Sequence, residues 1–242
     1  MQKLSLSEND INSFLMLGQS NMAGRGNMGD VEPIENDLCY MLRMGLWQKM
    51  SEPVNVDAPV TGEEYFSGIS LAASFADELA KATGKKIGLI PCAVGGTKIS
   101  EWMPGEILYD NTLMTAKIAM RTSKIKGILW HQGESDCNKD EDIALYKEKF
   151  LEIISHLKKE LSLENVPMII GELSTDITEV WNTGIRPAKL NEILREISQE
   201  LPLCRIVSSN GLTLKNDGIH FDSISCREFG KRYFKEYMKL FE

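Results

Sequence analysis

Five short apolar runs, each closed by turn-forming residues, punctuate the chain. Residues 14–17 end at Gly18, 87–90 at Pro91, and 125–130 at His131-Gln132-Gly133-Glu134. Residues 168–170 end at Gly171, and 204–207 at Ser208-Ser209-Asn210-Gly211. Short runs that are apolar at consecutive positions suit strands buried on both faces. Between them the period lengthens to that of a helix. Leu71, Phe75, Leu79 and Ala82 share one face, with Gly84 as a C-terminal stop. Tyr146, Phe150, Ile153, Ile154, Leu157 and Leu161 form a stripe at i, i+3, i+4, i+7 spacing. Leu190, Ile193, Leu194 and Ile197 form another, whose first turn accommodates Pro187. Phe229, Tyr233, Phe234, Tyr237 and Leu240 mark a last helix. Strands alternating with helices predict an α/β fold, a mostly parallel sheet covered on both faces. Ligands of such sheets bind beyond the carboxyl ends of the strands.

Residues 24–68 break the pattern. They have little regular period, several Gly and Pro, and scattered large residues: Met41, Met44, Trp47, Tyr65 and Phe66. Long irregular stretches in compact domains are usually functional or disordered. This one is expected to be a loop excursion covering the site, within a single domain spanning residues 1–242.

Composition narrows the functional classes. The chain has 242 residues, 43% hydrophobic and 26% charged, with a formal net charge of -8. That acidity, without any Lys/Arg run, offers no field for nucleic acid or an anionic membrane. No run is long and apolar enough to span a bilayer. Glu8 and Asp10 stand where a signal peptide needs apolar residues, so cytoplasmic residence is expected. The five cysteines are widely spaced with no Cys-x-x-Cys pair. This argues for small buried residues rather than disulfides or structural zinc.

Four segments carry candidate chemistry, and three of them begin at or just after a strand end. Ser20 follows the first strand, where Gly18 and Asn21 allow a sharp turn that exposes a hydroxyl. Met22 stands where the Gly-x-Ser-x-Gly elbow needs glycine, and a lone serine after a strand is commonly a helix cap. His220 says more, because the chain has only three histidines. Of the other two, His156 falls in the strongest helical stripe region and His131 ends a strand. Asp217, three residues before His220, can bend back to accept its Nδ1–H and leave Nε2 free to take a proton from serine. Gly95-Gly96 can turn backbone N–H groups toward an oxyanion, or can simply form a tight turn. Gln132 offers an amide as a further oxyanion donor. Glu134 could orient Gln132 or His131, bind a substrate hydroxyl, or form an ion pair.

Together these pieces resemble the SGNH (GDSL-like) hydrolase superfamily. Within it the chain is similar to the sialic acid-specific acetylesterase and acetylxylan esterase group, carbohydrate esterase family 6. The likeness rests on Gly18-Gln19-Ser20-Asn21-Met22-Ala23-Gly24-Arg25-Gly26, Gly95-Gly96-Thr97 with Trp102, Trp130-His131-Gln132-Gly133-Glu134-Ser135-Asp136, and Asp217-Gly218-Ile219-His220-Phe221. Trp47 and Glu52-Pro53 resemble further family positions, and the likeness runs from about Phe14 to the final helix. The resemblance implies a three-layer α/β/α sandwich with a flavodoxin-like parallel sheet. It implies Ser20 as nucleophile, His220 as general base and then acid, and Asp217 as its orienting partner. Oxyanion donors would be the Ser20 N–H, an N–H of Gly95 or Gly96, and the Gln132 side chain, where the wider superfamily has asparagine. Asn21, Glu134 and Trp102 would bind substrate or support the site. The implied substrate is an acetylated carbohydrate, and the implied chemistry uses no cofactor and no metal.

Three other readings are weighed against this one. A carbohydrate-binding protein that has lost catalysis fits poorly with an intact Ser20, Asp217 and His220. A metal-dependent hydrolase built on His131, Glu134 and Asp136 has one histidine and no His-x-x-x-His spacing. A cysteine nucleophile at Cys92 or Cys137 has no histidine of its own. Trp47, Tyr65, Phe66 and Trp102 could stack on a sugar ring or only pack the loops.

Overall fold

The computed structural model describes residues 6–7, 10–55, 67–177 and 186–242. Seven strands occur among them: β1 (Ile11–Gly18), β2 (Cys39–Arg43), β3 (Leu46–Lys49), β4 (Ile87–Pro91), β5 (Ser123–His131), β6 (Met168–Gly171) and β7 (Cys204–Val207). They form one sheet in the order β3-β2-β4-β1-β5-β6-β7, parallel except for β3, which pairs antiparallel with β2. The helices are α1 (Ser20–Ala23), α2 (Leu71–Thr83), α3 (Ile107–Ala119), α4 (Asp140–Leu161), α5 (Pro187–Glu200) and α6 (Ser223–Met238). A 3-10 turn, Ile99–Trp102, precedes α3.

Strand β1 shows how the sequence makes three layers. Successive side chains of a strand point to opposite faces. Leu15 and Leu17 enter one core, beneath α3, α4 and α5. Phe14 and Met16 enter the other, beneath α2 and α6. Phe14, Phe75 and Tyr237 meet edge to face there, with ring centres 4.9 to 5.8 Å apart. Both cores are needed, so residues 14–17 of β1 are apolar at every position and a continuous run results, while Asn12 and Ser13 before them are buried and hydrogen-bonded. The sandwich predicted from the alternating periods is therefore the observed one.

Residues 24–68 differ from the expectation. Strands β2 and β3 lie inside them and extend the sheet at its edge, so this stretch is not only a loop over the site. Trp47 packs its ring against Gly88 in β4, where a Cβ would stand 2.6 Å from it, well back from the carboxyl end of that strand. Glu52 forms a bidentate pair with Arg227 of α6, which ties the excursion to the last helix. Residues 56–66, including Tyr65 and Phe66, lie outside the described residues.

The topology sets the site. The chain leaves β1 for one side of the sheet and returns to β5 on the other. The crevice beyond the carboxyl ends of β4, β1 and β5 is thus the switch point where parallel sheets bind ligands.

Candidate active site

Ser20 is placed by the abrupt change from β1 to the single turn of α1. Gly18 has φ 133°, and a Cβ there would lie 1.9 Å from the carbonyl oxygen of His131. Only glycine permits β1 and β5 to end this close together. The Gln19 N–H then donates to that same oxygen at 3.0 Å, and Met22 and Ala23 donate back to Gln19. Ser20 is the first residue of the turn, so its N–H lies outside the intrahelical ladder.

His220 arrives from the loop between β7 and α6. Its Nε2 lies 3.0 Å from Ser20 Oγ, and its Nδ1 lies 3.0 Å from Asp217 Oδ2. Asp217 Oδ1 accepts the backbone N–H groups of Ile219 (3.0 Å) and His220 (2.9 Å). One carboxylate therefore folds the turn and orients the imidazole, the Asp-x-x-His spacing providing for both. With Nδ1–H given to Asp217, Nε2 carries the lone pair that faces serine.

Burial raises the Asp217 pKa, but the two backbone donors and the imidazole outweigh it and hold the carboxyl below its usual range. The imidazole itself is pushed below 6.5 by burial, which outweighs the favourable Asp217 carboxylate; Arg25 lowers it further and Glu134 opposes.

Asn21 joins the two halves. Its Nδ2 donates to Ile219 O at 3.2 Å, and its Oδ1 accepts the N–H of Phe221 at 3.1 Å. The residues on either side of His220 are thus held by the residue next to Ser20. Asn21 is in turn fixed by Glu134, whose Oε1 accepts from Nδ2 at 2.6 Å and lies 3.1 Å from His131 Nε2. His131 and Glu134 are both buried, with Phe221 and Phe229 edge-on to the imidazole. Burial raises the Glu134 pKa, but His131 and Asn21 outweigh it and the group stays ionised. Glu134 Oε1 thus contacts both His131 and Asn21.

Gln132, expected as an oxyanion donor, has its amide turned to protein acceptors. It is fully buried, and its Nε2 donates to Asp136 Oδ2 (2.6 Å), Thr97 O (2.9 Å) and Gln19 Oε1 (3.3 Å). Its Oε1 accepts from Tyr146 at 2.9 Å. Both amide hydrogens are committed within the protein. The side chain instead staples the segments that follow β1, β4 and β5. Asp136 completes the staple by accepting from the N–H of Ile99, and burial pushes its pKa up to about 6.

Gly95 and Gly96 follow β4, whose register is continued by Val94 N–H donating to Gly18 O at 3.0 Å. Gly96 has φ 74° and is exposed with no side chain near its Cβ position, so the turn borders open space. Trp102 is buried, donates to Thr97 Oγ1 at 3.1 Å, and meets Trp130 edge-on. It supports the glycine turn from below and offers no face to a sugar. Asp136 and the His131–Glu134 pair are likewise spent on these internal contacts. Burial pushes the thiols of Cys92 and Cys137 up to about 12, leaving both neutral at physiological pH. His156 lies exposed on α4.

Sequence reading passed over Gln19 and Tyr146. Gln19 accepts the backbone N–H of Gly133 and Ser135, besides the Gln132 amide. It is a polar residue between an apolar strand and a buried turn, which was the available signal. Tyr146 lies in the apolar stripe of α4; a buried phenol needs a partner for its hydroxyl, and Gln132 provides it.

A parallel sheet with Ser20, His220 and Asp217 in hydrogen-bond contact at its switch point is the arrangement found in several classes of hydrolase. The chain belongs to the family of carbohydrate esterases described as sialic acid-specific acetylesterases, which it matches over residues 10–239. It is 29% identical over 247 residues to a probable carbohydrate esterase of Arabidopsis thaliana, covering 94% of this chain and 90% of the relative. An X-ray structure of the Arabidopsis protein matches with a TM-score of 0.80 at 28% identity, over 96% of this chain and 100% of that one. The fold is also that of NanS, with TM-score 0.77 at 16% identity over 97% and 98% of the two chains. A carbohydrate acetylesterase from Xanthomonas citri aligns with TM-score 0.63 at 19% identity, over 95% of this chain and 56% of that one. Family membership indicates carbohydrate acetylesterase activity, with acetylated carbohydrates as the substrate class.

Proposed function

We propose that the protein is a serine esterase that removes O-acetyl groups from a carbohydrate through an acetyl-enzyme. The observation that carries this reading is the relay from Asp217 through His220 to Ser20, with both links at 3.0 Å. His220 Nε2 takes the hydroxyl proton as Ser20 Oγ attacks the acetyl carbonyl carbon. The oxyanion is held by the Ser20 N–H and an N–H of the Gly95-Gly96 turn, donors aimed where charge develops. As the tetrahedral species collapses, the C–O bond to the sugar breaks and His220 returns the proton to the departing sugar oxygen. Water then gives a proton to His220 and attacks the acetyl carbon; as the bond to Ser20 Oγ breaks, His220 passes that proton to Oγ, acetate leaves and Ser20 is restored. Side chains and backbone handle every proton and electron pair, so the cycle calls on no cofactor.

The test is hydrolysis of a small acetyl ester by the wild type, by Ser20→Ala, and by the wild type with a chelator. The Ser20→Ala change should lower kcat by at least about 10⁴-fold, and the chelator should change nothing. Activity that survives the substitution, or that disappears with chelator, contradicts the serine mechanism. A wild type inert on a panel of acetylated sugars points instead to a binding protein on the same fold.

A further inference from the structure

Among the described residues, the large exposed apolar side chains are not scattered. Six of the nine lie on α3, on the residue after it and on the tip of the β2–β3 hairpin: Met44, Leu46, Ile107, Met114, Ile118 and Met120. The two elements are neighbours, since a Cβ on Gly45 would touch Ile118 at 3.5 Å. Isolated exposed apolar residues need no explanation, whereas a contiguous group beside an open sheet edge marks an interaction surface.

The outer face of α3 has a further property. A shallow hollow of about 420 Å³ is lined by Asp110, Leu113, Met114, Lys117, Ile118 and Arg121. Asp110 stands at one end of this stripe, Lys117 and Arg121 toward the other. None of the three charges has an ion pair among the described residues. The order acid, apolar, base along one helix is complementary to itself when reversed. We propose that this face is a self-association surface, on which a second copy of the chain packs with α3 antiparallel to α3 about a two-fold axis between Thr115 and Ala116. Asp110 then meets Arg121 of the second copy, and Met114 packs on Ile118 of the second copy. Leu113 lies along the aliphatic stem of Lys117 of the second copy. Each contact occurs twice, as a closed isologous interface requires. The hairpin tip beside α3 widens the face toward the roughly 800 Å² per partner of a standard interface. The surface uses none of the residues of the catalytic reading and does not depend on it.

Sedimentation equilibrium of the full chain across micromolar concentrations tests this. The wild type should associate to twice the chain mass of 27.2 kDa. Met114→Glu and Ile118→Glu should each give monomers with unchanged circular dichroism. Asp110→Arg and Arg121→Asp should each weaken association by about tenfold or more, and the double charge reversal should restore it. A monomeric wild type, or a dimer indifferent to Met114→Glu and Ile118→Glu, overturns the proposal. A double reversal as weak as the singles overturns the antiparallel pairing.

Discussion

At His220 two opposing influences meet in one ring. Burial strips water from the imidazolium and lowers the pKa; the Asp217 carboxylate raises it; Arg25 lowers it and Glu134 raises it from further away. The first influence wins, and the folded pKa lies below 6.5. A general base works only when neutral, so kcat/KM should fall as pH drops through this value and be level above it. The acid limb on an acetyl ester is therefore expected to have its midpoint below the ordinary histidine value. Glu134→Gln removes a negative charge that favours the imidazolium, and the midpoint should move lower still. A wild-type midpoint above 6.5, or an upward move in Glu134→Gln, would contradict the assignment of His220 as base.

At the scale of elements, the site is three strand-end segments held to one another and a fourth delivered from the far side of the sheet. Gln132 is the junction of the first three. Truncation to Ala would leave the Thr97 carbonyl without its Gln132 donor and Asp136 with only the Ile99 N–H, at a cost of about 1–3 kcal/mol. Thermal unfolding of Gln132→Ala should therefore shift down by several degrees. Loss of an oxyanion donor instead lowers kcat by about 10²–10³-fold and leaves stability alone. A variant with native Tm and such a kcat loss would restore the oxyanion role to Gln132. The direction of a buried amide is a tertiary fact, which is why the sequence brings Gln132 to the crevice but does not show where its amide hydrogens point. The same distinction runs through the elements. Strands β1, β4, β5, β6 and β7 were legible because burial on both faces leaves a run of apolar residues. The Asp217–His220 contact was legible because the two residues are close in sequence and histidine is rare in this chain. The β2–β3 hairpin was not, because β3 is an edge strand with Leu46 exposed and no alternation to detect. Helix α3 was missed for a related reason: Ile107, Met114 and Ile118 face outward while Tyr109 and Ala116 face inward, which smears the helical stripe. The apolar residues that hid α3 in the sequence are those that make its outer face adhesive.

At the scale of the molecule, Ser20 and His220 are separated by 200 positions and meet at 3.0 Å, and we expect the crossing of α2 and α6 to set that distance. The serine turn runs into Gly24 and Gly26, which hydrogen-bond to Gly68 and Ile69 immediately before α2. The histidine loop runs into Asp222, which caps α6 by accepting from the Ser225 N–H at 2.7 Å. The two helices thus carry the two halves of the relay, and they touch at Gly230. A Cβ there would lie 2.0 Å from the carbonyl oxygen of Leu71, 2.1 Å from Ser74 Oγ and 2.9 Å from the nitrogen of Phe75. Gly230→Ala must therefore push α6 off α2, with an overpacking cost of about 1–3 kcal/mol. Because the nearest atom is backbone, a companion Ser74→Ala should not relieve it. The displacement also reaches the relay, and a misplacement of about 1 Å at reacting atoms can cost roughly 10²-fold in rate. Gly230→Ala is expected to lower Tm by several degrees and to reduce kcat at temperatures where it is fully folded, whereas a surface Gly→Ala change at Gly29, with nothing within 4 Å, should do neither. A Gly230→Ala protein with native Tm and native kcat would show that the α2–α6 crossing does not set the distance between nucleophile and base.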